Sequence, residues 1–123
     1  MTSPNIGPAA RQMADAMGAA EKPIRSEVEK LRKKLRDKLP AKQRKRFDKN
    51  WKKAGKDVKK QSDAVYLLFD MVRHRAILDE ATEDPEYLEM LEEIRLLTDM
   101  LRGLETLENL EKHFDALAKI YGS

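Results

Sequence analysis

The chain has 123 residues, of which 38% are charged, 41% hydrophobic and 6% aromatic, and it contains no cysteine. The lack of cysteine excludes a disulfide scaffold, a thiolate zinc site and a cysteine nucleophile. No run of about 18 apolar residues is present, so we expect no membrane-spanning helix. The first twenty residues lack the charged and apolar regions of a signal peptide, and we therefore expect a cytoplasmic protein.

The predicted elements are all helices, because the chain lacks β-branched runs and has only five glycines. Residues 1–20 are small and weakly patterned and are predicted to form a loose arm or a marginal helix. Pro23 suits the first turn of the next helix, which Pro40 is expected to end. The apolar residues of that helix recur every three or four positions: Ile24, Val28, Leu31, Leu35 and Leu39.

Two further helical stretches are predicted on either side of Gly55. In the first stretch, Phe47 and Trp51 mark one apolar stripe. Glycine costs about 1 kcal/mol relative to alanine inside a helix, so we expect a bend or a break at Gly55. Residues 62–80 are the most apolar part of the chain, which predicts a central helix.

The last third of the chain is predicted to hold two helices. Asp84 followed by Pro85 is typical of a helix start, and Gly103 is expected to end that helix. A separate last helix is then expected to run to Gly122. The sequence thus predicts an all-α fold, a compact bundle of four to five antiparallel helices, with residues 21–123 forming a single helical-bundle domain.

The apolar stripes of these helices form the expected core, because a bundle buries one face of each helix and leaves its polar face in solvent. We expect the core to include Leu31, Leu35, Phe47, Trp51, Val65, Leu68, Val72, Leu91, Ile94, Leu110, Phe114 and Leu117. If Trp51 is fully buried, its replacement by alanine costs about 3–5 kcal/mol.

Charge is distributed very unevenly along the chain. Residues 1–60 contain 19 Lys and Arg against 7 Asp and Glu, whereas residues 61–123 contain 6 against 15. The most basic segment, residues 30–60, has 16 basic residues and 3 acidic ones. Such a split indicates a basic surface for a polyanion. It also arises if the two halves neutralise each other inside one bundle, and both interpretations can hold together.

Lysines recur about once per turn around Trp51. If residues 42–60 form one helix with Phe47 and Trp51 facing the core, the opposite side carries Lys42, Lys45, Lys49, Lys52, Lys53, Lys56 and Lys60. A straight helix then presents a cation about every 5.4 Å, close to the spacing of phosphates along an extended strand. Because like charges at i,i+4 destabilise a helix, this run indicates a nucleic-acid ligand rather than a merely solvated face. Lysine contacts phosphate without reading bases, so we expect little sequence preference.

Two further basic clusters are candidate phosphate contacts. Lys33 and Lys34 lie on the preceding helix, and Arg73 and Arg75 follow the apolar centre of the next one. The two arginines can equally pair with the acidic helix that comes after them. A membrane surface is the competing polyanion, but an interfacial helix needs a wide exposed apolar face, and the stripe here is narrow. We therefore expect no membrane partner.

No pattern typical of catalysis, metal binding or a cofactor is found. His74 and His113 are far apart in sequence and have no cysteine to assist them. Glu89, Glu92 and Glu93 share a helix face, but no Glu-x-x-His pair completes a carboxylate metal centre. Gly-rich phosphate loops and nucleophile motifs are also missing. The sequence predicts a protein that is not an enzyme, with no metal and no cofactor.

The C-terminal half of the chain resembles a known family. Residues 105–123 read ETLENLEKHFDALAKIYGS, an acidic and apolar helix that ends in Tyr-Gly and a small residue. The order before it is also similar, since an aromatic helix with a basic end (66–75) precedes an acidic helix (87–102). Over residues 62–123 the chain resembles the small helical subunit of type III-A, Csm-type, CRISPR effector complexes, which are ribonucleoproteins of antiviral defence.

This resemblance implies a non-catalytic subunit. Several copies would stack along the complex and support guide and target RNA through phosphate contacts, while other subunits perform cleavage. The charge split fits a head-to-tail self-association, in which the basic face of one copy meets the acidic face of the next. Two alternatives stay open: a DNA-binding architectural or plasmid-maintenance protein that uses the same lysines, and a helical protein-interaction adaptor or inhibitor.

Overall fold

The computed structural model of the protein describes residues 5–122. It contains four α-helices: α1 (Ile6–Asp37), α2 (Ala41–Ala54), α3 (Val58–Leu78) and α4 (Pro85–Tyr121). No strand occurs within residues 5–122. The predicted all-α fold is confirmed, and the predicted helix start at Pro85 is confirmed with it.

α1 begins earlier than the sequence predicts. It is continuous across Pro23, so the helix start expected there is wrong. Proline lacks the N–H that would donate to the carbonyl of Ala19, but both residues are exposed, so water can bond this carbonyl. Residues 6–20, predicted as a loose arm or a marginal helix, are therefore part of a long helix. The boundary between that segment and a single domain over residues 21–123 stays a prediction.

α4 is one helix where the sequence predicts two. It continues through Gly103, so the helix end expected there is wrong. A glycine inside a helix costs about 1 kcal/mol relative to alanine. Leu101 and Leu104, on either side of this glycine, are fully buried. Their packing outweighs the poor helix propensity of a single residue.

The break expected at Gly55 is confirmed. Gly55 has φ 57°, in the left-handed region that glycine adopts at little cost, and its N–H donates to the carbonyls of Trp51 and Lys52. α3 then starts at Val58, where Asp57 accepts a hydrogen bond of 3.2 Å from the Lys60 N–H. Because α2 and α3 are separate helices, the placement of residues 42–60 on one straight helix is wrong.

The chain divides into two compact units. The first combines the part of α1 up to Ser26 with the part of α4 from Gly103. The second comprises residues 27–102, with α2, α3 and the remaining parts of α1 and α4. Every helix of the second unit supplies its core, through the fully buried side chains of Leu35, Phe47, Val65, Leu68, Leu97 and Leu101.

In the first unit, α1 and α4 run antiparallel and approach closely through small side chains. Arg11 bonds Asp115 near one end, and Arg25 bonds Glu108 near the other. Between these ion pairs, a Cβ added to Gly18 would lie 3.1 Å from Glu111 Oε2, so the two helices have little spare room there. The alanines Ala10, Ala14 and Ala118 are buried in the same unit.

Most of the expected core is found inside the structure. Leu35, Phe47, Val65, Leu68, Val72 and Ile94 are buried, and Leu31, Trp51, Leu91, Phe114 and Leu117 are half-buried. Leu110 is 39% exposed, so its assignment to the core is wrong. α3 is also less central than its composition indicates, since Tyr66 is 67% exposed and Leu67, Ile77 and Leu78 are exposed as well.

Within residues 5–122, none of the helices combines the length and the apolar character needed to cross a lipid bilayer.

We predict that Phe47→Ala destabilises the protein by about 3–5 kcal/mol, because Phe47 is 0% exposed and its removal leaves a cavity. Trp51 is only half-buried. We therefore expect Trp51→Ala to cost less, about 2 kcal/mol. Urea unfolding followed by circular dichroism measures both changes. A larger loss for Trp51→Ala than for Phe47→Ala would contradict this description of the core.

We predict that Glu21→Gln stabilises the protein at neutral pH. Burial raises the pKa of Glu21 above 4.5, and the negative charges of Glu111 and Glu108 raise it further. The folded state therefore favours the protonated carboxyl, and stability present below pH 4.5 is lost as the pH rises through the higher pKa of the folded state. Glutamine stays neutral and avoids this loss.

The measurement is the unfolding free energy of the variant relative to the parent at about pH 4 and about pH 7. The gain from Glu21→Gln should be present at the higher pH and absent at the lower one. Asp15→Asn is the matched control, since Asp15 is exposed on the same helix. An equal gain from both variants would refute the role of the Glu21 site.

Candidate nucleic-acid interface

The orientation of α2 follows from its few apolar residues. Phe47 and Ala54 are buried on one side of the helix. The Trp51 ring lies beside them with its centroid 5.9 Å from that of Phe47. The guanidinium carbon of Arg32, on α1, lies 5.7 Å from the Trp51 ring centroid. This side of α2 is therefore fixed against the rest of the unit, and Trp51 serves in that packing.

The opposite side of α2 carries only cations. At 100° per residue, Lys45 and Lys49 lie within about 20° of the direction opposite Phe47. The lysine face comprises five exposed residues of this helix: Lys42, Lys45, Lys49, Lys52 and Lys53. It extends about 16 Å along the helix axis. All five belong to the side predicted from the sequence.

The one carboxylate of α2 is not available to the lysine face. Asp48 is the only acidic residue of α2, and it accepts hydrogen bonds of 2.8 and 2.9 Å from Arg36 Nε on α1. The hydrogen bond to Asp48 raises the pKa of the Arg36 guanidinium above its usual value. Among residues 5–122, no ion pair joins any lysine of the face to an acidic side chain.

The other candidate residues are placed less favourably for a common surface. Lys56 is exposed, but it follows the break at Gly55 and does not continue the helical spacing. Arg75 pairs at 2.8 Å with Asp79, the residue that follows its own helix, and not with the acidic helix. Arg73 is exposed on α3. The structure therefore places the α2 lysines on one helix face, whereas Arg73 and Arg75 lie on α3.

Lys33 and Lys34 also differ from each other. Lys33 is exposed, and its charge helps to lower the pKa of Glu29, which the hydrogen bond from Arg32 lowers most. Lys34 pairs with Glu93 of α4 at 3.3 Å. Lys34 is therefore already engaged by a carboxylate, unlike the lysines of α2.

Neutralisation between the two halves of the sequence takes place where α1 meets α4. Lys38 Nζ donates to Glu93 at 2.7 Å and to Glu89 at 3.5 Å. The hydrogen bond to Glu93 raises the pKa of Lys38 above 10.5. Both interpretations of the charge split thus apply: Lys34 of α1 and Lys38 just after it pair with α4, whereas the lysines of α2 form no ion pair within residues 5–122.

These carboxylates are held by lysines and do not converge on one another. Within residues 5–122, no group of three or more His, Cys, Asp or Glu side chains is arranged to hold a metal ion. Glu92, on the same helical face in the sequence pattern, is exposed.

The sequence did not predict a cleft that lies beside the lysine face. It has a volume of about 430 Å³ and lies between α2 and α3. Its α2 wall consists of Arg46, Lys49, Asn50 and Lys53, and its α3 wall of Leu67, Asp70 and Met71. The only sequence signal for it is Leu67, an apolar residue of α3 with Asp63 and Asp70 one helical turn away on either side. That signal becomes specific only when the pairing of α2 with α3 is known.

Comparison of the chain with protein-family models, with curated protein sequences and with solved structures finds no match. The candidate site is the lysine face, a set of exposed cations on one helix that form no ion pair within residues 5–122. Such a surface attracts polyanions and binds them in a salt-dependent manner.

We predict that Lys45→Gln/Lys49→Gln changes the free energy of unfolding by less than about 0.5 kcal/mol per site, because both side chains are exposed. Removing repulsion between like charges can make the change favourable. Added salt should stabilise the parent more than this variant, since salt screens the repulsion that the variant lacks.

Urea unfolding at low and high salt measures both effects. Lys22→Gln/Lys112→Gln removes the same charge from exposed positions outside α2 and should keep the salt response of the parent. A large loss of stability in the α2 variant would mean that the lysine stems pack structurally.

Proposed function

We propose that this protein binds the phosphate backbone of RNA through the lysine face, without sequence preference and without catalysis, as a subunit of a ribonucleoprotein. The observation that carries the proposal is the distribution of charge on α2. Five exposed lysines share one side of this helix, and the single carboxylate of the helix pairs with Arg36. Like charges at this spacing cost stability in the free protein. A bound polyanion removes that repulsion and releases its own counterions.

The chemistry of the side chains supports backbone contacts in preference to base recognition. Lysine is a compact point charge that approaches phosphate oxygens from many directions. Base recognition in a groove relies on bidentate Arg, Asn or Gln side chains; Arg46 and Asn50 of α2 line the adjoining cleft and lie outside the lysine face. The face therefore suits a ligand identified by its charge and strand spacing rather than by its sequence.

A more specific proposal rests on the resemblance to the small subunit of type III-A CRISPR effector complexes. In that setting the protein would support guide and target RNA, and several copies would stack head to tail. The resemblance covers residues 62–123, whereas the lysine face lies in α2, at residues 42–53. The two arguments are therefore independent, and backbone binding by α2 can be tested without reference to the complex.

We predict that the parent protein binds a single-stranded RNA of mixed sequence with a steep salt dependence. If five lysines each contact one phosphate, the slope of log K against log salt concentration is about −3.5. Lys45→Glu/Lys49→Glu should abolish binding at low salt, because it removes two contacts and adds two negative charges. Fluorescence anisotropy with labelled RNA of several sequences measures affinity, slope and sequence preference together.

The matched control is Lys22→Glu/Lys112→Glu, which changes net charge equally at exposed sites outside α2. It should bind RNA nearly as well as the parent. Binding by the α2 variant equal to that of the parent would exclude the lysine face as the site. Tighter binding of duplex DNA than of RNA would favour the architectural alternative, and binding of an acidic protein alone would favour the adaptor.

A further inference from the structure

The helix pair of the first unit has two unlike sides. Along one side run the ion pairs that join α1 to α4, Arg11 with Asp115 and Arg25 with Glu108. Since these bonds fix how each helix is turned, the residues opposite them on both helices face the same way. That second side is apolar and is called the apolar face here; it comprises Ile6, Met13, Met17, Ala20 and Ile24 of α1 and Leu107, Leu110, Phe114, Leu117 and Tyr121 of α4.

These side chains are not fully covered by residues 5–122. Met13 is 42% exposed, Leu110 is 39% exposed, and Ile6 and Tyr121 are exposed as well. The remaining members of the apolar face are half-buried. Two helices packed together bury the seam between them but cannot cover their outer apolar sides, and a bundle needs a further layer for that.

The apolar face contains no charged residue, although 38% of the chain is charged. In α1 up to Ser26, the charged residues Arg11, Asp15, Glu21, Lys22 and Arg25 all fall within about 120° of the helix circumference, away from this face. The charged residues of α4 after Gly103 are likewise confined to the side of the ion pairs. Because this face carries no charge, two copies of it do not repel each other, and the same face of a second copy can pack against it.

The size of the apolar face is sufficient for a dimer. About 20 residues of each helix give a length of about 30 Å, and two helices about 10 Å apart give a width of about 20 Å. One copy therefore offers about 600 Å², and two copies in contact bury about 1,200 Å², which lies within the range of specific interfaces. Apolar patches of several hundred Å² are the largest that monomers commonly expose, and they often mark an interaction site.

We propose that the apolar face is the interface of a homodimer, in which the helix pairs of two copies pack face to face as a four-helix bundle. This contact is isologous, with the same residues contributed by both copies. It differs from the head-to-tail contact of the CRISPR proposal. It lies in the first unit, whereas the lysine face lies in the second, so either proposal can fail alone.

Sedimentation velocity of the full chain over a range of concentrations tests the dimer. We expect the parent to be dimeric and Leu110→Glu to weaken dimerisation by about 100-fold or more, because a carboxylate would be buried without a partner. Asn109→Glu is the matched control: it adds the same charge at the neighbouring exposed position, outside the apolar face, and should stay dimeric. Circular dichroism verifies that both variants stay folded.

A distance measurement identifies the interface independently. The chain has no cysteine, so Leu110→Cys introduces a single site for a nitroxide label. In a face-to-face dimer, two labels on adjacent helices of one bundle lie within about 25 Å of each other. Lys45→Glu/Lys49→Glu should leave the dimer intact. A monomeric parent, a dimer insensitive to Leu110→Glu, or a monomer that binds neutral lipid vesicles through the apolar face would each overturn the proposal.

Discussion

The burial of Phe47 is the contact on which the arrangement of α2 depends. α2 has 14 residues, and Phe47 is the one large side chain that it buries completely. Turning the helix by a single residue, about 100°, would expose this ring and push a charged side chain toward the core. The helix therefore has one acceptable orientation. The position of the lysines in solvent is a consequence of where one aromatic ring must go.

The allocation of carboxylates decides which cations stay unpaired. The carboxylates that bridge helices form ion pairs with cations of α1 and of the turn that follows it. Asp48 pairs with Arg36, and Glu93 pairs with Lys34 and Lys38. Ion pairs of this kind, partly exposed, contribute little stability each. Their larger effect is on the charge pattern of the surface. They pair Lys34, Arg36 and Lys38 with carboxylates, whereas the five lysines of α2 form no ion pair within residues 5–122.

Much of the fold, and the exposure of the α2 lysines, could be predicted from the sequence, because periodicity alone reports which side of a helix is buried. The break at Gly55 was predictable because a positive φ suits glycine and few other residues. Pro23 and Gly103 led to wrong helix boundaries. Each is a local signal for a helix boundary, but α1 continues through Pro23 and α4 continues through Gly103. Leu110 was assigned to the core by its spacing, but spacing does not reveal whether a second layer covers it.

Contacts between helices account for the rest. The ion pair between Lys34 and Glu93 joins residues 59 positions apart, and no local sequence pattern predicts it. The cleft between α2 and α3 is likewise formed by two helices that each look ordinary alone. Residue types predict which side chains are cations, whereas the pairing of helices determines which cations are free to bind a ligand.

Polyanion binding by α2, as proposed above, would also link the lifetime of the protein to its ligand. A ligand that binds only the folded state adds stability by mass action, about 2.7 kcal/mol at a concentration 100 times its dissociation constant. Copies without a polyanion lack that contribution and unfold more often, and it is the unfolded chain that proteases degrade. Unbound copies would be degraded faster than bound ones. The amount of protein in the cell would then follow the number of binding sites that it occupies.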